Sequence, residues 1–485
     1  MFSFLICIGF LIAGYFIYGK FVEKQFGADP SKPTPATTSN DGVDYIPLPL
    51  WKIFMIQLLN ISGLGPIFGA ILGATYGPMA YIWIVLGCVF MGATHDYLTG
   101  MLSIRNNGAS LPELVGKYLG NITRNFMRLF TLLLLIFVGV AFVSGPANLL
   151  YILTGANITI WIYIIFAYYL IATLLPINKI IGKIYPFFGA LLIFMALSIA
   201  FVMIYKSATG TIQLHEISFA DFKNYNINPD KNFLFPMMFI IISCGAISGF
   251  HATQVPLMAR CLKNEKYARH SFYGSMIAEG IIALIWATVA MNFFGGVKEL
   301  NLTLENPNYD PAYIVNEICN TWLGKAGAVL AIIGVIICPI TSGDTAFRSA
   351  RLTVADSFNF NQKKLQNRLI ISIPLFIIGF MLTTSLSSEF ARIWKFVGIS
   401  NQILASIVLW TAAMYLALNK KIHWITSVPA FFLTAVCATF IFIAPHANGG
   451  LAFSKQTAYP AGIIIAVLIF VVWFFYYRYR MKNIK

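Results

Sequence analysis

Ionisable side chains inside long apolar stretches are the first chemistry this 485-residue sequence offers, because a charge in hydrocarbon is costly unless it is used or paired. Glu279, in "SMIAEGIIALIWA", lies about nine residues into its stretch, roughly 13 Å at 1.5 Å per residue and close to the middle of a membrane. A carboxyl there can carry a proton and couple an ion to transport, or stay neutral and hydrogen-bond a neighbouring helix. His251, two residues past Gly249 in "SCGAISGFHATQVP", can donate to a ligand or take up a proton, or be a satisfied structural group. His95 and Asp96 sit in "THDYLTG"; adjacent helical residues point about 100° apart, so the pair is not expected to serve one ligand. Asp96 is expected to pair with an Arg or Lys at its end of the helix as part of a gate. His95 is expected to be a hydrogen-bonded packing residue, with a proton role as the alternative. "CPITSGDTAFRSAR" supplies the hydroxyls of Thr341, Ser342 and Thr345. Asp344 and Arg348 follow at i, i+4 spacing with Arg351 at i+7, which predicts a structural or gating ion pair.

The elements that hold these residues follow from composition. With 58% hydrophobic and 11% charged residues and a mean hydropathy of +0.76, the chain reads as an all-α integral membrane protein. Apolar runs of helix-spanning length fall near 2–19, 51–74, 79–102, 129–152, 158–176, 185–205, 234–257, 272–294, 326–347, 369–388, 393–417, 424–444 and 458–477. That is about 13 transmembrane helices, since such runs are too long for barrel strands and a bilayer leaves no water for unpaired backbone groups. The first run has no basic lead and no small-residue cleavage site, so it is expected to be a retained helix and not a signal peptide.

Placing the N-terminus outside and the C-terminus in the cytoplasm puts most of the 33 Lys and Arg in inner segments, among them Lys20, Arg105, Arg128, Arg260, Arg269, Arg351, Lys421 and Arg480. The net charge of +15 is then a feature of the cytoplasmic face, suited to anionic lipid heads. No nucleic-acid partner is implied, because the basic residues are scattered over many short loops. The seven cysteines form neither a disulfide framework nor a CxxC metal pattern. Residues 23–50, with "DPSKPTPATTSNDG", are expected to be a poorly ordered linker. Ser110 to Glu113 reads as a capping box heading a short helix on the inner face. The outer loops 207–233 and 295–325 are long enough for a short helix or a lid.

Two spans are interrupted. "ISGLGPIFGA" places Gly63, Gly65, Pro66 and Gly69 near the middle of the second, and "SCGAISGFHATQVP" places Ser243, Gly245, Ser248 and Gly249 in the seventh. Taken alone, either is consistent with a kink whose small residues let a neighbour pack closely. Five spans apart, the two run in opposite directions, as expected of two inverted five-helix repeats that each open with a discontinuous helix. The repeats are expected over 51–205 and 234–417, with 1–50 and 418–485 outside them. Each half-helix N-terminus carries about +0.5 of an elementary charge. Two converging there predict a site for one carboxylate, built from Gly63, Gly65, Pro66, Gly69, Ser243, Gly245, Ser248, Gly249 and His251.

"GPIFGAILGATYGP", "GATHDYLTGMLSIRNNGASLPELVGKYLG" and "AEGIIALIWA" resemble hallmark stretches of the carbon starvation protein CstA family, in order along most of the chain. The chain resembles a short form of that family. The resemblance implies a bacterial inner-membrane transporter of the amino acid–polyamine–organocation superfamily, with a leucine-transporter-like fold and pyruvate or peptides as substrates. In that fold class the helix holding Thr341, Ser342 and Thr345 often shares a sodium site with the first broken helix. A sodium ion at Thr341 and Ser342 is therefore the rival to a proton on Glu279. The leading expectation is proton-coupled import of a small carboxylate-bearing nutrient by alternating access. A sodium-coupled amino-acid or peptide symporter is the alternative, and a channel or starvation sensor is the reading from another class. No HExxH, GxSxG or Walker A pattern is present, no cofactor is expected and an enzyme is not.

Overall fold

The computed structural model describes residues 1–177, 179, 181–306, 309–385 and 390–483, and these form helices with no strand among the described residues. In chain order they are α1 (Phe2–Phe26), α2 (Leu50–Ser62) and α3 (Gly65–Ala74), α4 (Met79–Ile104), α5 (Leu111–Leu119), α6 (Asn121–Thr154), α7 (Ile158–Leu174) and α8 (Ile181–Ala208). The second half holds α9 (234–241), α10 (Gly249–Ala259), α11 (Glu265–Phe293), α12 (Val297–Glu305), α13 (Pro311–Phe358, bent at Gly324), α14 (Leu365–Ser385) and α15 (Phe390–Leu418). The chain closes with α16 (Trp424–Ile443) and α17 (Lys455–Asn483).

Among the described residues ten helices are long and apolar enough to cross a membrane, or eleven with α2 and α3 taken as one bent span. The 17-residue α7 and the interrupted pair α9 and α10 lie where the remaining two of the thirteen runs were expected. The lipid-facing helices carry apolar side chains outward, as Ile463, Ile464, Val472 and Phe475 do on α17. By contrast α11 is buried along nearly all of its length from Ser275 to Asn292. It lies against α2, α3 and α4, while α10 packs on α4 and α15, and α6 packs along α13. Through these contacts α11 reaches the first interrupted span, and through Glu279, which accepts the Gly245 N–H, it reaches the second.

The chain groups its charged contacts at two ends. At the basic end Arg105 Nη2 lies 2.8 Å from Glu265 Oε2, Lys421 bonds the carbonyl of Phe26, and Glu113 pairs with Arg128 at 2.6 Å. At the other end Ser3 N–H donates to Glu216 Oε2 at 2.7 Å, Asn228 donates to Glu305 at 2.8 Å, and Lys395 reaches Asn448 at 3.3 Å. Loop 207–233 lies over this second end, with α12 beside it, where Asn301 donates to the Thr75 carbonyl at 3.0 Å.

Three local expectations change. Ser110 precedes α5 without accepting a side-chain cap bond, and the Glu113 carboxylate, the other half of the expected box, is drawn to Arg128 and Arg124. Asp344 does not pair with Arg348. Its Oδ2 accepts from Tyr185 at 2.5 Å and its Oδ1 from Thr173 at 3.1 Å, so α7 and α8 take it up sideways while Arg348 points to the basic end. The 23–50 linker is not loose either. Helix α1 runs on to Phe26, and the rest folds back under the bundle, with Ile177 N–H on the Val43 carbonyl at 2.9 Å and Leu48 N–H on the Cys261 carbonyl at 3.1 Å.

Asp44 is the reason the linker stays. It is 1% exposed; Arg348 Nη1 lies 3.2 Å from its Oδ1, and Arg351 Nη2 lies 3.3 Å from its Oδ2. Burial alone would push the Asp44 carboxyl up, but Arg351 and Arg348 outweigh it and hold the group below the usual carboxylate range. The stability this adds is therefore present above the unfolded value of about 3.9 and is lost as pH falls through the lower folded one. Removing one partner of a buried pair costs about 3–5 kcal/mol, since it strands the other charge. Asp44→Asn is expected to lower the melting temperature of the detergent-solubilised protein by several degrees; an unchanged melting curve would show that the linker is not held by this contact.

Candidate functional site

The two interrupted spans meet at the centre of the bundle. Helix α2 stops at Ser62; Gly63 takes φ +43°, a left-handed value that favours glycine, and a Cβ there would lie 2.6 Å from the Phe142 ring. Leu64 then starts the turn of α3, with Phe68 N–H on its carbonyl at 2.8 Å. The axes of α2 and α3 differ by 54°. The unwound part is thus Gly63 and Leu64, narrower than the expected 63–69. Gly65, Pro66 and Gly69 lie in the opening turn of α3, where Pro66 has no intrahelical donor to lose.

The second break is longer. Helix α9 ends at Ile241, residues 242–248 are not helical, and α10 starts at Gly249. In hydrocarbon each freed backbone group needs a partner; Ile247 N–H bonds the Ser243 carbonyl at 2.9 Å, and three side chains supply further partners. Trp83 Nε1 donates to the Ile242 carbonyl at 2.9 Å. Gln402 Nε2 donates to Phe239 at 2.9 Å and to Ile247 at 3.3 Å. Glu279 Oε1 accepts the Gly245 N–H at 3.1 Å. The two breaks also touch: a Cβ on Gly65 would lie 2.1 Å from that of Cys244, and one on Gly69 would lie 3.0 Å from the Ile241 carbonyl oxygen. Helices α3 and α10 both begin here and run to opposite ends of the molecule.

Glu279 belongs to a chain of buried polar groups. His95 Nδ1 lies 2.8 Å from Asp96 Oδ1, Asp96 Oδ2 lies 3.1 Å from His251 Nδ1, and His251 Nε2 lies 3.4 Å from Glu279 Oε2. All four side chains are fully enclosed. This corrects the expectation for Asp96: it faces two histidines, not an Arg or Lys, because the Asp96 turn of α4 packs against α10. His95 is a buried, hydrogen-bonded residue, as expected, and its partner is the neighbouring Asp96. His251 and Glu279, expected as a ligand group and an ion-coupling group, are neighbours.

Ser243 lines a narrow space beside the second break, with Cys244, Phe142, Phe250, Trp394 and Asn401; at about 10 Å³ it holds at most one water. Ser248, also expected to bind substrate, is buried with its hydroxyl unpaired. Gly249 packs so closely on α15 that a Cβ would lie 2.4 Å from the Asn401 carbonyl oxygen. Above the narrow space, toward the end away from Asp44, lies a cavity of about 450 Å³ lined by Phe68, Tyr76, Asn226, Asn301, Trp394 and Lys395 among others. Trp394 borders both spaces, and its ring centroid lies 6.5 Å from that of Phe68.

The hydroxyls of α13 lie one helix away. Ser342 donates to the Leu59 carbonyl of α2 at 2.9 Å, so it does reach the first broken span. Thr341 and Thr345 donate back into their own helix, to Cys338 at 2.8 Å and to Ser342 at 3.1 Å. Asp344 and Arg348 occupy separate surroundings, as described above, and neither touches the His251 chain.

Residues the sequence reading passed over carry much of the site. Gln402 and Asn401 on α15 and Trp83 on α4 serve or border the second break. Gln57, Asn60 and Ser62 on α2 bury side chains whose amide and hydroxyl groups have no hydrogen-bond partner. Their signal was in the sequence, as amides inside apolar runs, where a polar group is as telling as a charged one.

Comparison with known proteins gives the same picture. The family model described as "Carbon starvation protein CstA" matches residues 1–151, 143–319 and 311–440. A membrane protein of Haemophilus influenzae is 46% identical over 346 residues, 62% of this chain and 93% of that protein. The pyruvate/proton symporter BtsT of Escherichia coli is 26% identical over 56% of this chain and 46% of its own length. The peptide transporter CstA of Campylobacter jejuni is 25% identical over 88% of this chain and 77% of its own. Among solved structures, MhsT in complex with L-phenylalanine superposes with a TM-score of 0.55 at 13% identity, covering 87% of this chain and 97% of that one. That likeness gives the fold, a leucine-transporter-like bundle of inverted repeats with a broken helix opening each. With its central breaks in that arrangement and the family model matching from residue 1 to residue 440, the chain belongs to the carbon starvation protein CstA family.

Proposed function

We propose that this protein is a secondary active transporter that imports a small carboxylate-bearing nutrient, pyruvate or a short peptide, during carbon starvation by proton-coupled alternating access. The observation that carries the reading is Glu279: one of its oxygens holds the backbone of the second break and the other faces His251. The names of two relatives, a pyruvate/proton symporter and a peptide transporter, support the substrate class and the coupling ion.

The substrate waits in the 450 Å³ cavity and passes Phe68 and Trp394 to the breaks. There its carboxylate meets the opening turns of α3 and α10, each carrying about half a positive charge. No Lys or Arg is needed. An ionised Glu279 would oppose it: two unit charges roughly 6 Å apart at an effective dielectric of about 20 repel by about 3 kcal/mol, on the order of 100-fold in affinity. Protonating Glu279 removes that repulsion, so proton and substrate bind together. His251, Asp96 and His95 extend the proton path toward the basic end, where the Asp44 latch and Arg348 close the bundle.

In this reading the protein lies in the inner membrane, N-terminus outside and C-terminus in the cytoplasm. The basic end with Arg105, Arg260 and Arg351 is then cytoplasmic, as the positive-inside rule requires. The repeats comprise 51–205 and 234–417, with the flanking helices added to them. Its partners are the substrate, a proton and the bilayer. One observation favours sodium as the rival ion: Ser342 and the Leu59 carbonyl bring together the two kinds of oxygen a sodium ion takes.

In liposomes, Glu279→Gln is expected to lose accumulation of labelled pyruvate or dipeptide driven by a pH gradient by at least 10-fold while keeping exchange of substrate across the membrane. Concentrative uptake by that variant would remove Glu279 as the proton carrier, and a requirement for a sodium gradient would select Ser342 instead. Gly65→Ala, whose new methyl would lie 2.1 Å from the Cys244 Cβ, is expected to lower uptake at least 10-fold by forcing the breaks apart. Unchanged uptake by a folded Gly65→Ala protein would show that the breaks need not touch during transport.

A further inference from the structure

We propose that Cys244, His251 and Glu279 form a binding site for a divalent transition-metal ion of the zinc type, and that its occupation arrests the two breaks. The thiol, an imidazole nitrogen and a carboxylate oxygen of these residues all lie within 4.8 Å of one another. In a tetrahedral zinc site, with bonds of about 2.0–2.3 Å, neighbouring ligand atoms are roughly 3.3–3.7 Å apart. His251 Nε2 and Glu279 Oε2 already stand at 3.4 Å, and with the thiol within 4.8 Å of both, closing it onto them needs an inward shift of at most about 1.5 Å.

The surroundings prepare these atoms. His251 Nε2 and Glu279 Oε2 are buried and have no hydrogen-bond partner. Asp96 engages the opposite ring nitrogen of His251 at 3.1 Å, which holds the proton on Nδ1 and leaves the Nε2 lone pair free. That is the carboxylate–histidine support seen behind metal-bound imidazoles. The Gly245 N–H fixes the other oxygen of Glu279 at 3.1 Å, turning Oε2 toward the site. As the metal–sulfur bond forms, Cys244 gives its proton to solvent. The thiolate and the Glu279 carboxylate then offset the two charges of the divalent ion. A thiolate and an imidazole select zinc-like ions over magnesium and calcium, which prefer all-oxygen sites. Entry is through the narrow space that Cys244 lines, bordered by Trp394 and the larger cavity above.

An ion here ties residue 244, inside the second break, and residue 251, in the first turn of α10, to α11. It also occupies the atoms that the proposed transport cycle uses, so that part of the inference rests on the transport reading. The binding itself does not. The test therefore has two arms on the purified full-length protein. In the first, Co²⁺ is the probe: one equivalent is expected to give the near-ultraviolet thiolate-to-cobalt band and the strong visible absorption of a tetrahedral ion, displaced by Zn²⁺ and not by Mg²⁺ or Ca²⁺. Cys244→Ser should abolish the thiolate band, whereas Glu279→Gln should keep it and weaken binding at least 10-fold. Absence of the band, or its survival in a folded Cys244→Ser protein, would overturn the site. In the second arm Zn²⁺ is expected to inhibit uptake by the unsubstituted protein, and Cys244→Ser, whatever its basal rate, should need at least 10-fold more zinc for the same fractional inhibition. Binding in the first arm with zinc-insensitive uptake would overturn the arrest while leaving the site.

Discussion

A helix cannot be interrupted inside a bilayer unless something else pairs the backbone groups it frees. That requirement organises the centre of this protein. The longer break is held by an indole N–H from α4, an amide from α15 and a carboxylate from α11, which arrive from three directions. Each such bond is worth only about 1 kcal/mol net, but leaving its group unpaired costs more. The three helices are therefore fixed relative to the break, and the glycines that let them approach follow from the same need. Glu279 takes part in this pairing through one oxygen, which leaves the other free for chemistry. In the proposed transport cycle, structural support and ion coupling would be two uses of one carboxylate.

The ends of the molecule differ in a way that suits a transport cycle. At the basic end the folded-back linker places Asp44 between two arginines, and Arg348 also bonds the carbonyl of Leu175 at 2.9 Å and that of Ala172. At the other end loop 207–233 and α12 leave a cavity that leads down to Phe68 and Trp394. One end is thus latched by buried charge and the other closed by two rings. Buried ion pairs are costly to form and costlier to break singly, which favours a gate that moves as a unit over one that loosens residue by residue.

Much of this was legible in the sequence because the membrane simplifies the code. Length and apolarity sufficed for the spans, glycine with proline sufficed for the first break and glycines among small polar residues for the second, even though Pro66 confines the first to Gly63 and Leu64 by restarting the helix at once. Glu279 stood out for its depth. The pairing of Asp96 with His251 did not, because it depends on how α4 crosses α10, and no spacing within one helix encodes that. Asp344 was misread for the same reason: i, i+4 spacing offered Arg348, but hydroxyls from α7 and α8 were nearer. The linker looked disordered by composition, and one buried aspartate within it outweighed the prolines and threonines around it. The amides of Gln402 and Asn401 were visible as letters, but one neutral amide in an apolar run stands out less than a charge, and their role depends on how α15 meets the second break.

The central claim is that a proton and a carboxylate-bearing solute enter together at the two breaks. Its most direct measurement is of proton movement, with a pH dye in the lumen of liposomes containing the protein and no ion gradient imposed. Adding pyruvate or a dipeptide outside is expected to acidify the lumen in fixed proportion to the labelled substrate taken up, above the level in protein-free liposomes. Saturable uptake with no change in luminal pH beyond that control would contradict the account.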